Sequence, residues 1–565
     1  MTQRIAGHLL VECLLAQGVT HAFGVPGESY LAALDGFHEH RDAIRFVICR
    51  QEGGASFMAE AHGKLTGRPG VCFVTRGPGA TNASIGVHTA SQDSTPMVLF
   101  VGDVASHQRD REAFQEVDYS AFFGAFGMAK RVERIDSAAR LPEYVARAFA
   151  TAMNGRPGPV VLVLPEDMLV EPVPASLQPL PRWEPPMYAP DLAAMEQLQA
   201  LLVAAERPIV IAGGGGWTPR SAQALQQFAE RWHLPVATAM RFQDVFDNRH
   251  PLYAGDVGIA INPRLAQRIE DADLVLAIGP RLGEMTTSGY TLLVAPQPKQ
   301  KLVHVHSSAE ELGRVYQPEL ALCATMPAIA SALAALVPTD AARWKAWAEA
   351  AHADYLANQQ PQALPGPVDM HTVMQVIQAA LPADAAVTNG AGNFASWVHR
   401  YFAYPGLAQG VKTQLAPTSG AMGYGVPAGI ACAITTGRTV LTMAGDGDFM
   451  MNGQELATAV QYGGKTIIVI LNNGVFGTIR MHQAREYPHR RAGTELVNPD
   501  FVQLAKSYGY AAERVTRTEE FEPALRAALA RAEGTVIEVI LSDQVITTRV
   551  TLDTIEEKAA AAKSA

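Results

Sequence analysis

The sequence predicts an α/β protein made of three consecutive doubly wound parallel-sheet domains. Three observations carry that prediction. The chain has 565 residues, which at about 150 per domain gives three or four domains. Two proline-rich stretches interrupt it. Residues 171–191 hold seven prolines, too many positions without a backbone donor for a helix or a central strand. The segment NQQPQALPGPVD at 358–369 follows a charged amphipathic stretch ending near Tyr355. The domains so delimited are 1–170, 190–340 and 365–545. Within each, short β-branched or aromatic runs alternate with longer stretches of helical apolar spacing, the pattern of βαβ units.

In the first domain the runs His21–Val25, Ile44–Cys49, Val71–Thr75 and Met97–Val101 read as strands, with Glu52–Thr66 as a helix between two of them. The middle domain repeats the pattern with Pro208–Ala212, Asp273–Gly279 and Leu302–His306. The third does so with Ala386–Thr388, Val440–Ala444, Thr466–Leu471 and Val536–Leu541.

Apolar residues make up 48% and charged residues 18% of the chain, with no polar tract long enough for extended disorder. The net charge of −10 disfavours a nucleic-acid partner, because phosphate-backbone binding needs an excess of cations. Five widely spaced cysteines offer neither a disulfide framework nor a CxxC metal site and suit a reducing cytoplasm. Arg4, His8 and Glu12 interrupt the apolar N-terminus where a signal peptide needs an unbroken run, and no run approaches the length of a membrane span. The expectation is a soluble cytoplasmic protein with no membrane partner.

Ligands of such sheets bind beyond the carboxyl ends of the strands. Val440–Ala444 runs into Gly445-Asp446-Gly447-Asp448, a helical stretch follows from about Asn452 to Tyr462, and the strand Thr466–Leu471 ends at Asn472-Asn473. This is one βαβ unit, so the Asp446 carboxylate and the Asn473 amide leave neighbouring parallel strands at the same edge. Oxygen ligands of this kind suit Mg²⁺, which completes its octahedron with phosphate oxygens. The glycines allow a diphosphate close to the backbone, and the helix N-terminus favours its charge.

With 24 residues between Gly447 and Asn472, this combination resembles the thiamine diphosphate motif of the 2-oxo acid decarboxylase and acetolactate synthase superfamily. The resemblance implies metal ligation by Asp446, Asn473 and the carbonyl of Val475. It extends to Arg50-Gln51-Glu52-Gly53-Gly54-Ala55, where Glu52 matches the glutamate that promotes the imino tautomer of the cofactor's aminopyrimidine. It extends also to Ser419–Gly425, where the Gly420 carbonyl receives the aminopyrimidine amine and Met422 wedges the cofactor into its bent shape. Glu52 and the metal site lie in different domains. The family joins them across a dimer interface, which implies a homodimer at minimum and points to a homotetramer.

The first domain is most similar to acetolactate synthases in Gly77–Asn82, Asp93–Met97 and Ala113–Asp118, and Gln115 is then expected to face the reacting carbon. The implied activity is decarboxylation of a 2-oxo acid such as pyruvate, followed by ligation to a second oxo acid or aldehyde. Three departures mark the chain. Glu28 follows Pro26-Gly27 as in the decarboxylases, which makes it a candidate second acid and keeps a decarboxylase or carbon–carbon lyase as the alternative. Arg76 stands where a small residue is usual, and either binds a substrate carboxylate or forms a salt bridge. The run Asn473–Gln483 lacks the tryptophan with which anabolic acetolactate synthases select the second oxo acid. In the middle domain, Gly213–Gly216 and Gly279–Glu284 look like the flavin-binding domain of these enzymes, which leaves FAD open as a further cofactor.

Overall fold

The computed structural model describes residues 4–124, 127–340 and 342–564. It contains three six-stranded sheets, and all the strand pairings are parallel. The first holds β1 (His21–Gly24), β2 (Arg45–Ile48), β3 (Gly70–Val74), β4 (Met97–Asp103), β5 (Arg131–Arg134) and β6 (Pro159–Pro165), in the order β2-β1-β3-β4-β6-β5. The second holds β7 (Pro208–Ala212), β8 (Val236–Thr238), β9 (Tyr253–Asp256), β10 (Leu274–Ile278), β11 (Lys301–His306) and β12 (Leu320–Cys323), in the order β12-β11-β10-β7-β8-β9. The third holds β13 (Ala386–Asn389), β14 (Gln414–Leu415), β15 (Val440–Gly445), β16 (Ile467–Asn472), β17 (Ala511–Val515) and β18 (Thr535–Ile540), in the order β14-β13-β15-β16-β18-β17. The first and third sheets therefore share one topology, and the middle sheet has the dinucleotide-fold order.

The central strands β3, β4, β6, β7, β10 and β15 are buried along their whole length, as strands covered by helices on both faces must be. That burial makes them legible as continuous apolar runs. Edge strands are not: β5 reads Arg-Val-Glu-Arg with no fully buried residue, and β14 is two residues long. The helix after β15 also differs from expectation. It starts at Asp446 directly behind Gly445, runs to Asn452, tightens into a 3-10 turn over Gly453–Glu455 and resumes over Leu456–Tyr462. The two acids Asp446 and Asp448 thus sit in a helix first turn.

One apolar core spans the first and third sheets, while the middle sheet is covered by clusters of its own. The shared core is closed by the helix Glu52–Thr66 lying on the helix Gly425–Thr436, apolar up to its two terminal threonines, with Phe57 edge-on to Tyr424. Within this dry contact Lys64 bridges Asp93 and Glu60, Glu60 accepts from Tyr424, and Asp93 accepts from the amide of Thr418. A buried charge is tolerated only when paired in this way. The five cysteines are free, and four of them are buried. Among the described residues, no helix is long and apolar enough to cross a membrane.

Candidate active site

In the third sheet β13 and β15 are neighbours whose connections leave to opposite sides, so a crevice opens between their carboxyl ends. A cavity of ≈ 270 Å³ lies there. Gly445, Asp446, Gly447, Asp448, Asn473, Val475, Gly420 and Met422 all line it. Pairing of Gly445 with Leu471 brings the residues that follow β15 and β16 side by side. Asp446 accepts from Gly447 N through Oδ1 at 2.9 Å and from Gly474 N and Asn498 Nδ2 through Oδ2, each at 2.8 Å. Burial nevertheless holds its carboxyl above the ordinary range. The two asparagines divide their tasks: Asn472 donates to Glu538 and accepts from Asn498, pointing into the fold, while Asn473 lines the cavity.

Asp448 is fully enclosed. Its Oδ1 accepts from the amides of Ala391 (3.0 Å) and Gly423 (2.9 Å), its Oδ2 has no partner, and desolvation pushes its pKa up to about 7. The carboxylate occupies the space a side chain at residue 390 would need, which is why Gly390 stands there. Asp448 therefore ties the loop after β13 to the turn that carries Gly420 and Met422.

The remaining predicted residues sit at the equivalent edge of the first sheet and do not line this cavity. Glu52 is half-buried at the start of its helix, where Gln51 caps the amides of Gly53 and Gly54 and Asn82 donates to Glu52 Oε2 at 2.9 Å. Gly79 separates Glu52 Oε1 from Thr75, and Thr75 is hydrogen-bonded to Ser29. Beside them Arg76 donates to Glu28 Oε1 at 2.6 Å and to the carbonyl of Phe114 at 3.2 Å, with Glu166 3.6 Å away. Of the two readings of Arg76, this is the salt bridge, although its Nη1 is buried without a hydrogen bond. Gln115 sits half-buried on the neighbouring loop in a left-handed conformation, φ 64°, against Gly77.

Three family descriptions match the chain: thiamine pyrophosphate enzyme, N-terminal TPP binding domain, over 4–122; central domain, over 195–333; and C-terminal TPP binding domain, over 390–539. Similarity to acetolactate synthase large subunits runs nearly end to end. The protein of Parasynechococcus marenigrum is 31% identical over 94% of this chain and 86% of its own. Isozyme 2 of Escherichia coli is 29% identical over 91% and 92%, and the Lactococcus lactis protein 29% over 94% and 92%. The chain belongs to the thiamine pyrophosphate enzymes. It is acetolactate synthase-like.

The cavity suits the diphosphate end of that cofactor. One carboxylate, one amide oxygen and one backbone carbonyl, with no cluster of three His, Cys, Asp or Glu among the described residues, is a set for a Mg²⁺ that takes its other ligands from phosphate. Several residues of the site escaped the sequence reading. Asn393 and Thr478 face each other, with Thr478 Oγ1 accepting from Asn393 N at 2.9 Å, and Asn498 buttresses Asp446 from a loop. Glu455 belongs to the helix of the diphosphate half, yet its carboxylate accepts from the amides of Arg50 and Gln51, the two residues before Glu52. None of these had a signal in residue type and spacing, because each is defined by a partner far away in the chain.

In the middle domain Gly214, Arg281, Gly283 and Glu284, from the two segments that leave FAD open, line a cavity. It measures ≈ 300 Å³, but the tip of the Gly213–Gly216 turn is taken by the first domain, since a Cβ on Gly215 would lie 2.7 Å from the Ser94 carbonyl. Strand β8 ends in Val236-Ala237-Thr238 without the acid that holds a ribose hydroxyl. Gly215 thus packs against the first domain, while Gly213 and Gly214 pack against Ala239 and Gly279 within the middle domain.

Proposed function

We propose that this chain is a Mg²⁺-dependent carboligase that decarboxylates a 2-oxo acid such as pyruvate and joins the remaining acyl unit to a second oxo acid or an aldehyde. The observation that carries the reading is the convergence of Asp446, Asn473 and Val475 with Gly420 and Met422 on one cavity. Bound thiamine diphosphate supplies an electron sink for the electron pair released when carbon dioxide leaves. Asp446, Asn473 and the Val475 carbonyl would hold the metal, and Asp448 fixes the turn that carries Gly420 and Met422. Trp397, Phe476, Ile479, Val545 and Ile546 on the walls keep water from the reacting carbon.

Glu52, oriented by Asn82, would hold the proton that the aminopyrimidine of a bound cofactor gives up or takes back. Gln115 orients a substrate carbonyl. Since Glu52 and the metal residues do not share a cavity within one chain, two chains pair so that each completes the other's site, giving at least a homodimer, with a homotetramer as the natural doubling. Exposed Ile85 next to Gly53, and exposed Met450 and Met451, of which Met451 lies next to Gly423, support such an interface. A reducing cytoplasm suits the free cysteines.

The exposed Glu28 carboxylate at the same edge favours a second reading, a decarboxylase or lyase that protonates the product instead of ligating it. Incubation with thiamine diphosphate, Mg²⁺ and a panel of 2-oxo acids, with carbon dioxide and coupled products measured together, separates the two. Carbon dioxide with acyloin or acetohydroxy acid supports the carboligase; aldehyde alone supports the second reading. Full turnover by a Glu52→Gln enzyme with bound cofactor would overturn both.

A further inference from the structure

A second cavity, ≈ 310 Å³, opens between the middle and third domains on the far side of the helix Ala395–Tyr401. Arg264, Arg400 and Arg549 line it with Asp354. Asp354 is already committed: Oδ1 accepts from Arg264 at 3.1 Å and Oδ2 pairs with Arg268. Arg400 and Arg549 have no carboxylate partner among the described residues. Arg400 spends Nε on the carbonyl of Asn358 (2.9 Å) and Nη1 on the carbonyl and hydroxyl of Thr548, while Arg549 donates once, to Asn358 Oδ1 at 3.1 Å. Partial burial lowers the pKa of Arg400, and the nearby Arg549 adds to the effect. The rest of the lining that can bond is neutral amide, from Asn262, Gln360 and Gln362. Converging guanidiniums with spare donors, against a single carboxylate that Arg264 and Arg268 already engage, form a site of unbalanced positive potential, and planar forks of this kind match carboxylate and phosphate oxygens.

The two elements that carry these arginines also wall the cofactor cavity. Trp397 faces that cavity one turn before Arg400 on the same helix. Val545 and Ile546 face it three to four residues before Arg549, on the segment that Arg400 holds by Thr548.

We propose that Arg400 and Arg549 bind a small organic dianion, a dicarboxylate or a phosphate monoester, and that its binding fixes the segment 545–549 over the cofactor cavity. The anion bridges the two guanidiniums, removes their mutual repulsion and locks Thr548 in place. Occupancy of this cleft therefore tightens cofactor retention. That coupling rests on the thiamine diphosphate reading; the anion site does not.

The test titrates the full-length protein with succinate, with glycerol phosphate and with sodium chloride at matched ionic strength, following melting temperature with and without thiamine diphosphate and Mg²⁺. The expected result is a saturable rise with one of the two dianions, absent with chloride and at least fivefold weaker in affinity for Arg549→Gln. In the same titration the dianion lowers the apparent dissociation constant of thiamine diphosphate about threefold for wild type only. The response of succinate against glycerol phosphate identifies the oxyanion. An unchanged response in Arg549→Gln, or the same response to chloride, overturns the site. A dianion response lost in Arg549→Gln without any change in cofactor affinity overturns the coupling. Failure of thiamine diphosphate to bind at all overturns the functional reading and leaves the anion comparison still measurable.

Discussion

Glu455 is the buried residue of the diphosphate half that takes up the backbone amides just before Glu52, beside the bonds that Tyr462 and Gln461 make to Ile48 and Arg50. Its Oε1 accepts from Arg50 N and Gln51 N, both at 3.0 Å, and its Oε2 from the Thr458 hydroxyl at 2.6 Å, in a pocket without solvent access. Replacing it by alanine orphans two backbone amides. Each buried unsatisfied donor costs about 1–3 kcal/mol, and the lost methylenes and the small void add about 1–2 kcal/mol, so Glu455→Ala is expected to destabilise by about 3–8 kcal/mol. Glu455→Gln keeps an oxygen for both amides and turns its amine toward Thr458, whose hydroxyl can rotate to accept, so its cost is expected near 1 kcal/mol. The assay is hydrogen exchange of peptides covering 48–54, alongside urea unfolding and turnover. Protection at Arg50 and Gln51 should fall at least tenfold in the alanine variant, with a loss of turnover larger than the unfolded fraction explains, and the glutamine variant should restore most of both. Wild-type protection at these amides in Glu455→Ala would refute the clamp.

Three further outcomes follow from the geometry. Gly390→Ala pushes a methyl into the Asp448 carboxylate, which must then release Ala391 or Gly423; at about 1.5–3 kcal/mol per charged hydrogen bond, thiamine diphosphate affinity read by quenching of Trp397 should weaken at least tenfold. Lys64→Met leaves Glu60 and Asp93 buried without their cation, and a loss of about 3–5 kcal/mol is expected in denaturant unfolding, while Lys64→Arg, which keeps the charge, should recover part of it. His62 is held neutral, its pKa lowered to about 4 by burial. Its folded pKa lies below its unfolded value, so the unfolded chain binds the extra proton and stability falls as pH drops from about 6.5 toward 4. His62→Gln should remove up to about 1.4 kcal/mol per pH unit of that slope, measured by urea unfolding at pH 5, 6 and 7.

The buried strands were legible in the sequence because a strand covered on both faces is an apolar run ended by glycine or a small polar residue. The same rule led to Asp446 and Asn473, since a site beyond strand ends needs little more than the strands to locate it, whereas Gly420 was reached through the family resemblance. Edge strands such as Arg131–Arg134 escaped, being half-solvated and mixed in composition. Glu455, Asn498 and Asn393 escaped for another reason: their role lies in the partner they meet, and nothing in their own neighbourhood encodes it.

By itself, then, the sequence determined three α/β domains and the residue types of a metal-diphosphate site, because burial and close backbone approach leave local patterns. Only the tertiary structure decided that Asn472 turns inward while Asn473 faces the cavity, that Arg76 is engaged by Glu28, and that Glu455 takes up the amides of Arg50 and Gln51. Those facts depend on which distant groups meet, and through-space partnership is fixed by packing three sheets together.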